Sequence, residues 1–375
     1  MAIVNYYQAV NMTSPQIFYG AVTNATPSSI TINDYNGQSG TYTGSFFYSN
    51  NYLAGGTVTA YQGYYNYSLS GSVTGISINA LTFNDYLLAG NALGLYQYVL
   101  GGGDQITGSS GSDVLLGFDG NDTLKGGLGN DTLDGGTGTD TAVFNIYKNA
   151  ITDVHHLKSG GAVITSSEGI DTLLNIESLS FLDGTLSIEA LIASRPLPNF
   201  TSIDSNGAPI TVTPTLYIGP VTFLEYQLLG SATGDIIVGS TGNDFMNLLG
   251  GDDAANGGAG DDVLDGGTGS NFLTGGNGGD TLFLDGRGGT TTWSTVTDFS
   301  AGDQVNIWGW NAGVSKQVFA MENQGTDGYK GATFHYDLNN DGLIDTSITL
   351  TGLALSQVPA GVSMDIVGNG YLLIG

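Results

Sequence analysis

Aspartate recurs at every ninth position in two stretches of the chain. The first holds Asp104, Asp113, Asp122, Asp131 and Asp140; the second holds Asp235, Asp244, Asp253, Asp262, Asn271 and Asp280, with one asparagine keeping the register. Two residues after each comes an apolar or small side chain: Ile106, Leu115, Leu124, Leu133 and Ala142, then Ile237, Met246, Ala255, Leu264, Leu273 and Leu282. Carboxylates are hard oxygen donors, and the glycines before them admit left-handed turns that aim several backbone carbonyls at one point. Such a set suits a hard cation taking six to eight oxygens at flexible geometry, which selects Ca²⁺ over Mg²⁺. With no cysteine and three scattered histidines, zinc and copper fit poorly.

Each unit approximates G-G-x-G-x-D-x-U-x, where U is apolar. Its glycine-aspartate part cannot form a strand or helix, whereas the last three residues, as in "DTL", form a short strand with U directed inward. Two repeats then make one coil of a two-sheeted roll, and repeats n and n+2 stack at the inter-strand spacing of about 4.8 Å. Carboxylates such as Asp122 and Asp140 would face each other at about 5 Å and repel by about 3 kcal/mol at an effective dielectric of 20. A cation between them converts that repulsion into attraction. The expected pairs are Asp104 with Asp122, Asp122 with Asp140, and Asp113 with Asp131. In the second block they are Asp235 with Asp253, Asp253 with Asn271, Asp244 with Asp262, and Asp262 with Asp280. Asn271, Thr233 at a glycine position, and "LLGGDDAAN", which lacks the opening glycine pair, should give weaker or empty sites.

These nonapeptides resemble the RTX (repeats-in-toxin, hemolysin-type) calcium-binding repeats over residues 99 to 143 and 230 to 283. The segments "TDTAVFNIY", "GIDTLLNIESLSFLDGT" and "VTDFSAGDQVNI" resemble the strands that follow such repeats. The resemblance implies metal ligation by the aspartates named above with carbonyls from their turns. It also implies type I secretion in one step with an uncleaved C-terminal signal, here "MDIVGNGYLLIG". Folding held back until calcium is met outside the cell would keep the chain threadable.

The remaining sequence places these blocks in an all-β chain. Of 375 residues 61 are glycine, and 34 Asp plus Glu against 7 Lys plus Arg give a formal charge of −27. That balance repels nucleic acid and anionic membranes, and no stretch has the length and apolarity of a membrane span. Residues 1–100 contain two charged residues, Asp34 and Asp85, and fourteen of the twenty tyrosines. Alternation of β-branched or aromatic residues with Ser, Thr and Gly, broken by Asn-Gly and Gly-Gly, predicts an antiparallel β domain there. One helix is expected over 83–100, with Asn84 or Asp85 near its start. The expected division is a Tyr-rich neutral domain at 1–100, a first parallel β-roll with capping strands at 101–193, a linker with lead-in strands at 194–229, and a second roll with capping strands and secretion region at 230–375.

Other candidates carry less. "DLNNDGLID", with Asp337, Asn339, Asp341 and Asp345, matches the start of an EF-hand-like loop, but Ile348 stands where a bidentate Glu is needed. His155 and His156 are adjacent in a strand pattern and point to opposite faces. His335 has no evident nucleophile, and no Ser-His-Asp, H-E-x-x-H or nucleophile-elbow pattern is present. The expectation is therefore a non-enzymatic, secreted calcium-binding structural protein of the bacterial surface or matrix, such as a surface-layer or filament subunit. Its partners would be copies of itself, meeting through the neutral Tyr-rich domain. The alternatives are a calcium-dependent adhesin or lectin binding cell-surface polysaccharide, and an accessory to a secreted enzyme.

Overall fold

A computed structural model describes residues 1–13, 21–33, 37–195, 201–204, 207–209, 214–287, 289–366 and 369–375. The chain is all-β with short helices. It divides into two compact units, one of residues 1–154 and 159–194, the other of residues 155–158 and 195–375. Much of the Pro-rich stretch read as a linker lies outside the described residues.

In the first unit the three residues after each repeat aspartate, centred on U, form a strand: Gln105–Thr107, Val114–Leu116, Thr123–Lys125, Thr132–Asp134 and Thr141–Val143. Alternate triplets pair in parallel. Leu124 stands beside Ile106 and Ala142 in one sheet, and Leu133 beside Leu115 in the other. Ile106, Leu115, Leu124, Leu133 and Ala142 are at most 1% exposed and form the centre of one continuous core. Each buried leucine contributes about 2 kcal/mol by leaving water. The stack continues past the last repeat, with Ile170–Leu174 parallel to Thr132–Asp134 and Ser178–Phe181 parallel to Thr141–Val143. Antiparallel strands Ala162–Thr165 and Gly184–Leu186 then follow in the two sheets, Gly184–Leu186 as the edge of its own.

At its other end the roll receives the N-terminal residues. Ile3–Tyr6 lies parallel to Gln105–Thr107 and antiparallel to Ser68–Thr74, so residues 1–100 and the first repeats share one sheet and one unit. Long strands Gln38–Ser49, Tyr52–Tyr65 and Ser68–Thr74 are joined by two-residue turns at Asn50-Asn51 and Asn66-Tyr67, all four with positive φ, as right-twisted hairpins require. The Gly55-Gly56 signal is not a turn. It lies inside Tyr52–Tyr65, where a Cβ on Gly56 would meet the Ser45 carbonyl oxygen at 2.0 Å.

The single helix expected over 83–100 is two, Ala80–Leu88 and Ala92–Val99. Asn79 caps the first by accepting the N–H groups of Leu81 and Thr82, and Asn91 caps the second by accepting that of Gly94. Between them Gly90 at φ +67° breaks the helical path. Both helices contribute to a small core with Tyr42, Phe46, Val58, Ile78 and Phe83, while Tyr52, Tyr65 and Tyr67 stay exposed.

The second unit repeats the scheme. Asp235–Val238, Ala254–Ala259 and Phe272–Asn277 stack in parallel in one eight-stranded sheet, and Asp244–Asn247, Val263–Thr268 and Thr281–Asp285 in another. Ile237, Met246, Leu264, Leu273 and Leu282 point inward, at most 1% exposed. Thr292–Val296 and Gln304–Trp308 add a further parallel rung to each sheet. Asn369–Ile374, from the segment read as a secretion signal, pairs antiparallel with Gln304–Trp308. Among the described residues no helix is long and apolar enough to cross a membrane.

Candidate metal centre

The inward turn of U carries the aspartate beside it to the sheet edge, at the point where the turn becomes strand. All eleven repeat positions are buried, at most 4% exposed. One carboxylate oxygen of each lower rung is used by the backbone. Asp122 Oδ1 accepts the Asp104 N–H at 2.7 Å, Asp140 Oδ1 that of Asp122 at 2.7 Å, and Asp131 Oδ1 that of Asp113 at 2.8 Å. In the second roll Asp253 accepts from Asp235 at 2.8 Å, Asn271 from Asp253 at 2.9 Å, Asp262 from Asp244 at 2.7 Å and Asp280 from Asp262 at 2.9 Å. The structure thus joins, by direct hydrogen bonds, the seven pairs named from the nine-residue period.

The other oxygen is left over. Oδ2 of Asp104, Asp122, Asp131, Asp140, Asp253, Asp262 and Asp280 is buried with no hydrogen-bond partner. An unpaired buried charge is costly, so such atoms require a counter-charge. Except at Asp104 and Asp253, where Val99 and Leu248 hold that position, the space beside them is set by the first glycine of the repeat. A Cβ on Gly117 would lie 2.6 Å from Asp122 Oδ2 and 2.4 Å from the Gly135 carbonyl oxygen; on Gly257 it would lie 2.1 Å from Asp262 Oδ2 and 2.5 Å from the Gly275 carbonyl oxygen. Any side chain would fill this cradle. Left open, it presents a carboxylate of one repeat and a carbonyl two repeats on, the donor chemistry of a calcium site. Among the described residues no three carboxylate or histidine side chains converge, so backbone carbonyls must complete the coordination.

The electrostatics agree with an unmet charge. Burial, opposed only in part by the backbone N–H it accepts, pushes Asp122 up to about 7, and neighbouring Asp140, Asp104 and Asp119 raise it further. By the same causes Asp131 and Asp253 rise to about 6, with Asp113 and Glu168 adding to the first and Asp235 and Asp252 to the second. Asp262 rises to about 9, through burial and then the charges of Asp244, Asp280 and Asp261. Without a cation these carboxyls take up protons at higher pH than an exposed aspartate does.

The ladders extend beyond the repeats in both directions. Asp104 Oδ1 accepts the Ala2 N–H, and Asp113 Oδ1 that of Val10 at 2.6 Å. Below, Asp171 accepts from Asp131 at 2.9 Å, Glu177 from Asp140 at 2.7 Å and Asp303 from Asp280 at 2.9 Å. The sequence reading missed these carboxylates as ladder members because insertions break the nine-residue count. Their signal was present: Asp171 and Asp303 are followed two residues later by Leu173 and Val305, both fully buried.

The other candidates are accounted for without a ligand. Asp337 accepts the N–H groups of Asn340 and Gly342, and Asp345 accepts that of Leu338, so the EF-hand-like loop is held by its own backbone. His335 is buried between Trp293 and Phe319 with Nδ1 on Ser347 Oγ at 2.7 Å, and burial lowers its pKa. His155 and His156 lie in the strand Asp153–His156.

Comparison with known proteins adds the family. No curated protein sequence matches the chain. A solved structure, the extracellular lipase from Serratia marcescens, is similar over 68% of this chain and 37% of the lipase at 16% identity, with a TM-score of 0.26. The chain therefore spans well under half of the lipase's length. The RTX calcium-binding nonapeptide repeat family matches in four copies, over residues 98–133, 107–142, 229–264 and 256–286. Residues 98–142 and 229–286 are RTX nonapeptide repeats, a calcium-binding element built into an all-β chain.

Proposed function

We propose that this protein is a secreted, non-enzymatic structural subunit of the bacterial surface or matrix that calcium folds after export, and that residues 1–100 mediate contact between copies. The observation that supports the folding step is the file of buried, partnerless Oδ2 atoms along both rolls. In this reading Asp104, Asp113, Asp122, Asp131, Asp140, Asp235, Asp244, Asp253, Asp262, Asn271 and Asp280 line the metal sites with carbonyls of their turns. Calcium supplies positive charge where two carboxylates approach. The chain does the rest. Oδ1 anchors the neighbouring rung, the first glycine leaves room, and the inward leucine locks the turn in place. Seven ions would bring the formal charge from −27 to about −13, letting copies approach.

A calcium-dependent adhesin or polysaccharide-binding lectin is the second reading. Exposed Tyr52, Tyr65 and Tyr67 favour it as much as self-contact, since aromatic faces stack on sugars and on one another. Circular dichroism tests the common step. In chelator the chain should be largely coil, and millimolar calcium should convert it to β. Equal β content in both conditions would refute calcium-driven folding.

A further inference from the structure

We propose that four turns of the two rolls carry a built-in substitute for the cation, so that calcium enters only where the turn-side carboxylate oxygen lacks a donor. This rests on the calcium reading above and states which turns take the ion. Ser109, Ser231 and Ser240 occupy the second position of their repeats, where most others have glycine. The N–H and Oγ of Ser109 both donate to Asp113 Oδ2, at 2.7 and 3.0 Å. Ser240 does the same to Asp244 Oδ2, at 2.7 and 3.0 Å. Ser231 donates its N–H to Asp235 Oδ2 at 2.5 Å and its Oγ to Oδ1 at 3.0 Å. Each serine Oγ also accepts the N–H two residues on, from Gly111, Gly242 or Thr233. With that lone pair engaged, the hydroxyl proton of Ser109 and of Ser240 is directed to the carboxylate; Ser231 Oγ is shared, lying 3.0 Å from both Asp235 Oδ1 and the Thr233 carbonyl oxygen.

Paired donors supply the positive potential that a cation would otherwise bring. Accordingly Asp113 and Asp235 keep no partnerless oxygen, and Asp244 keeps only Oδ1. The backbone independently sets the three serine turns apart from the other turns between Asp113 and Asp280. At the second position Phe118, Gly127, Gly136, Leu249, Gly258, Gly267 and Gly276 all have φ between +62° and +110°, whereas none of the three serines has positive φ. Phe118 and Leu249 adopt this conformation although side chains disfavour it, so the left-handed turn is not a by-product of glycine. It leaves the carboxylate oxygen bare.

Asn271 reaches the same end by another route. Its turn has the left-handed Gly267, but its Nδ2 donates to the Gly266 carbonyl oxygen at 2.8 Å, joining by a hydrogen bond the two groups a cation would join. Calcium demand is thereby concentrated at the turns of Asp122, Asp131 and Asp140 in the first roll and of Asp262 and Asp280 in the second; Asp104 and Asp253 also keep a partnerless Oδ2, but Val99 and Leu248 stand where the first glycine opens the cradle. Both opening turns of the second block are held by serine.

Equilibrium dialysis with radiolabelled calcium decides the matter, using the intact chain and a Ser109→Gly/Ser231→Gly/Ser240→Gly variant, each checked by circular dichroism in saturating calcium. Removing the serine donors should create sites, so the variant should bind one to three more ions per chain. An unchanged or lower count in a folded variant overturns the proposal. If the triple variant does not fold, Asn271→Asp decides instead: one added ion is expected, and no gain overturns the proposal. An intact chain that binds no calcium at all would refute the parent reading rather than this one.

Discussion

At the scale of the residue, a repeat aspartate with a bare Oδ2 does two separable jobs. In Asp262, Oδ1 holds the Asp244 N–H while Oδ2 has no partner. Asp262→Asn keeps an oxygen for the first job and replaces the second oxygen with an amide, as Asn271 does naturally. Calcium titration should then show about one ion fewer, while the calcium-loaded chain melts as a single cooperative unit; an unchanged ion count would remove Asp262 from the ligands. The first glycine is equally specific. A Cβ on Gly126 would lie 2.1 Å from Asp131 Oδ2, whereas one on Gly102 meets nothing within 4 Å. Gly126→Ala should weaken calcium binding at least tenfold, about 1.4 kcal/mol, and Gly102→Ala should leave it unchanged. Equal effects of the two substitutions would mean that the cradle is not where the ion sits.

At the scale of the element, the rolls are stacked rungs with apolar interiors and charged edges, so their metal-free stability must depend on pH. Burial and neighbouring carboxylates raise Asp131, Asp253 and Asp280 to about 6, Asp122 to about 7 and Asp262 to about 9, and burial alone raises Asp244 to about 7. A group raised in the folded state stabilises it fully below the unfolded value, about 3.9 for aspartate, and loses that contribution as pH climbs through the folded value. In chelator, β content should therefore increase when pH falls from 8 to 4.5. Calcium reverses the dependence, because protons compete for the same oxygens. A chelated chain with less β structure at pH 4.5 than at pH 8 would contradict this account of the edges.

At the scale of the whole molecule, a nearly uncharged, tyrosine-rich region shares a sheet with an acidic roll. Deleting residues 1–100 would strip Ile3–Tyr6 from Gln105–Thr107 and remove the N–H groups held by Asp104 and Asp113, confusing folding with assembly. Tyr52→Ser, Tyr65→Ser and Tyr67→Ser together avoid this, since all three side chains are exposed. Sedimentation in calcium should shift from assembled material toward monomer, because tyrosine buries a large area at low entropic cost. Assembly at the parent level by the triple variant would move the contact surface elsewhere.

The period of nine, the inward apolar residue and the cation class could all be read from the chain, because each repeat is a local unit whose glycines, aspartate and U residue act within a few positions of one another. The pairing of repeats n and n+2 followed from the same periodicity. What lay beyond it was any partnership that skips the register. Asp171, Glu177 and Asp303 join the ladders only because intervening hairpins and loops fold out and return a carboxylate to the next rung. The attachment of Ile3–Tyr6 to the first roll is a pairing across about a hundred residues that no local pattern encodes. The division between bare and serine-held carboxylates was also hidden, since serine and glycine are both ordinary turn residues. Which of them leaves Oδ2 without a donor shows only in the folded turn, where the serine N–H and Oγ reach the carboxylate and the left-handed residues do not.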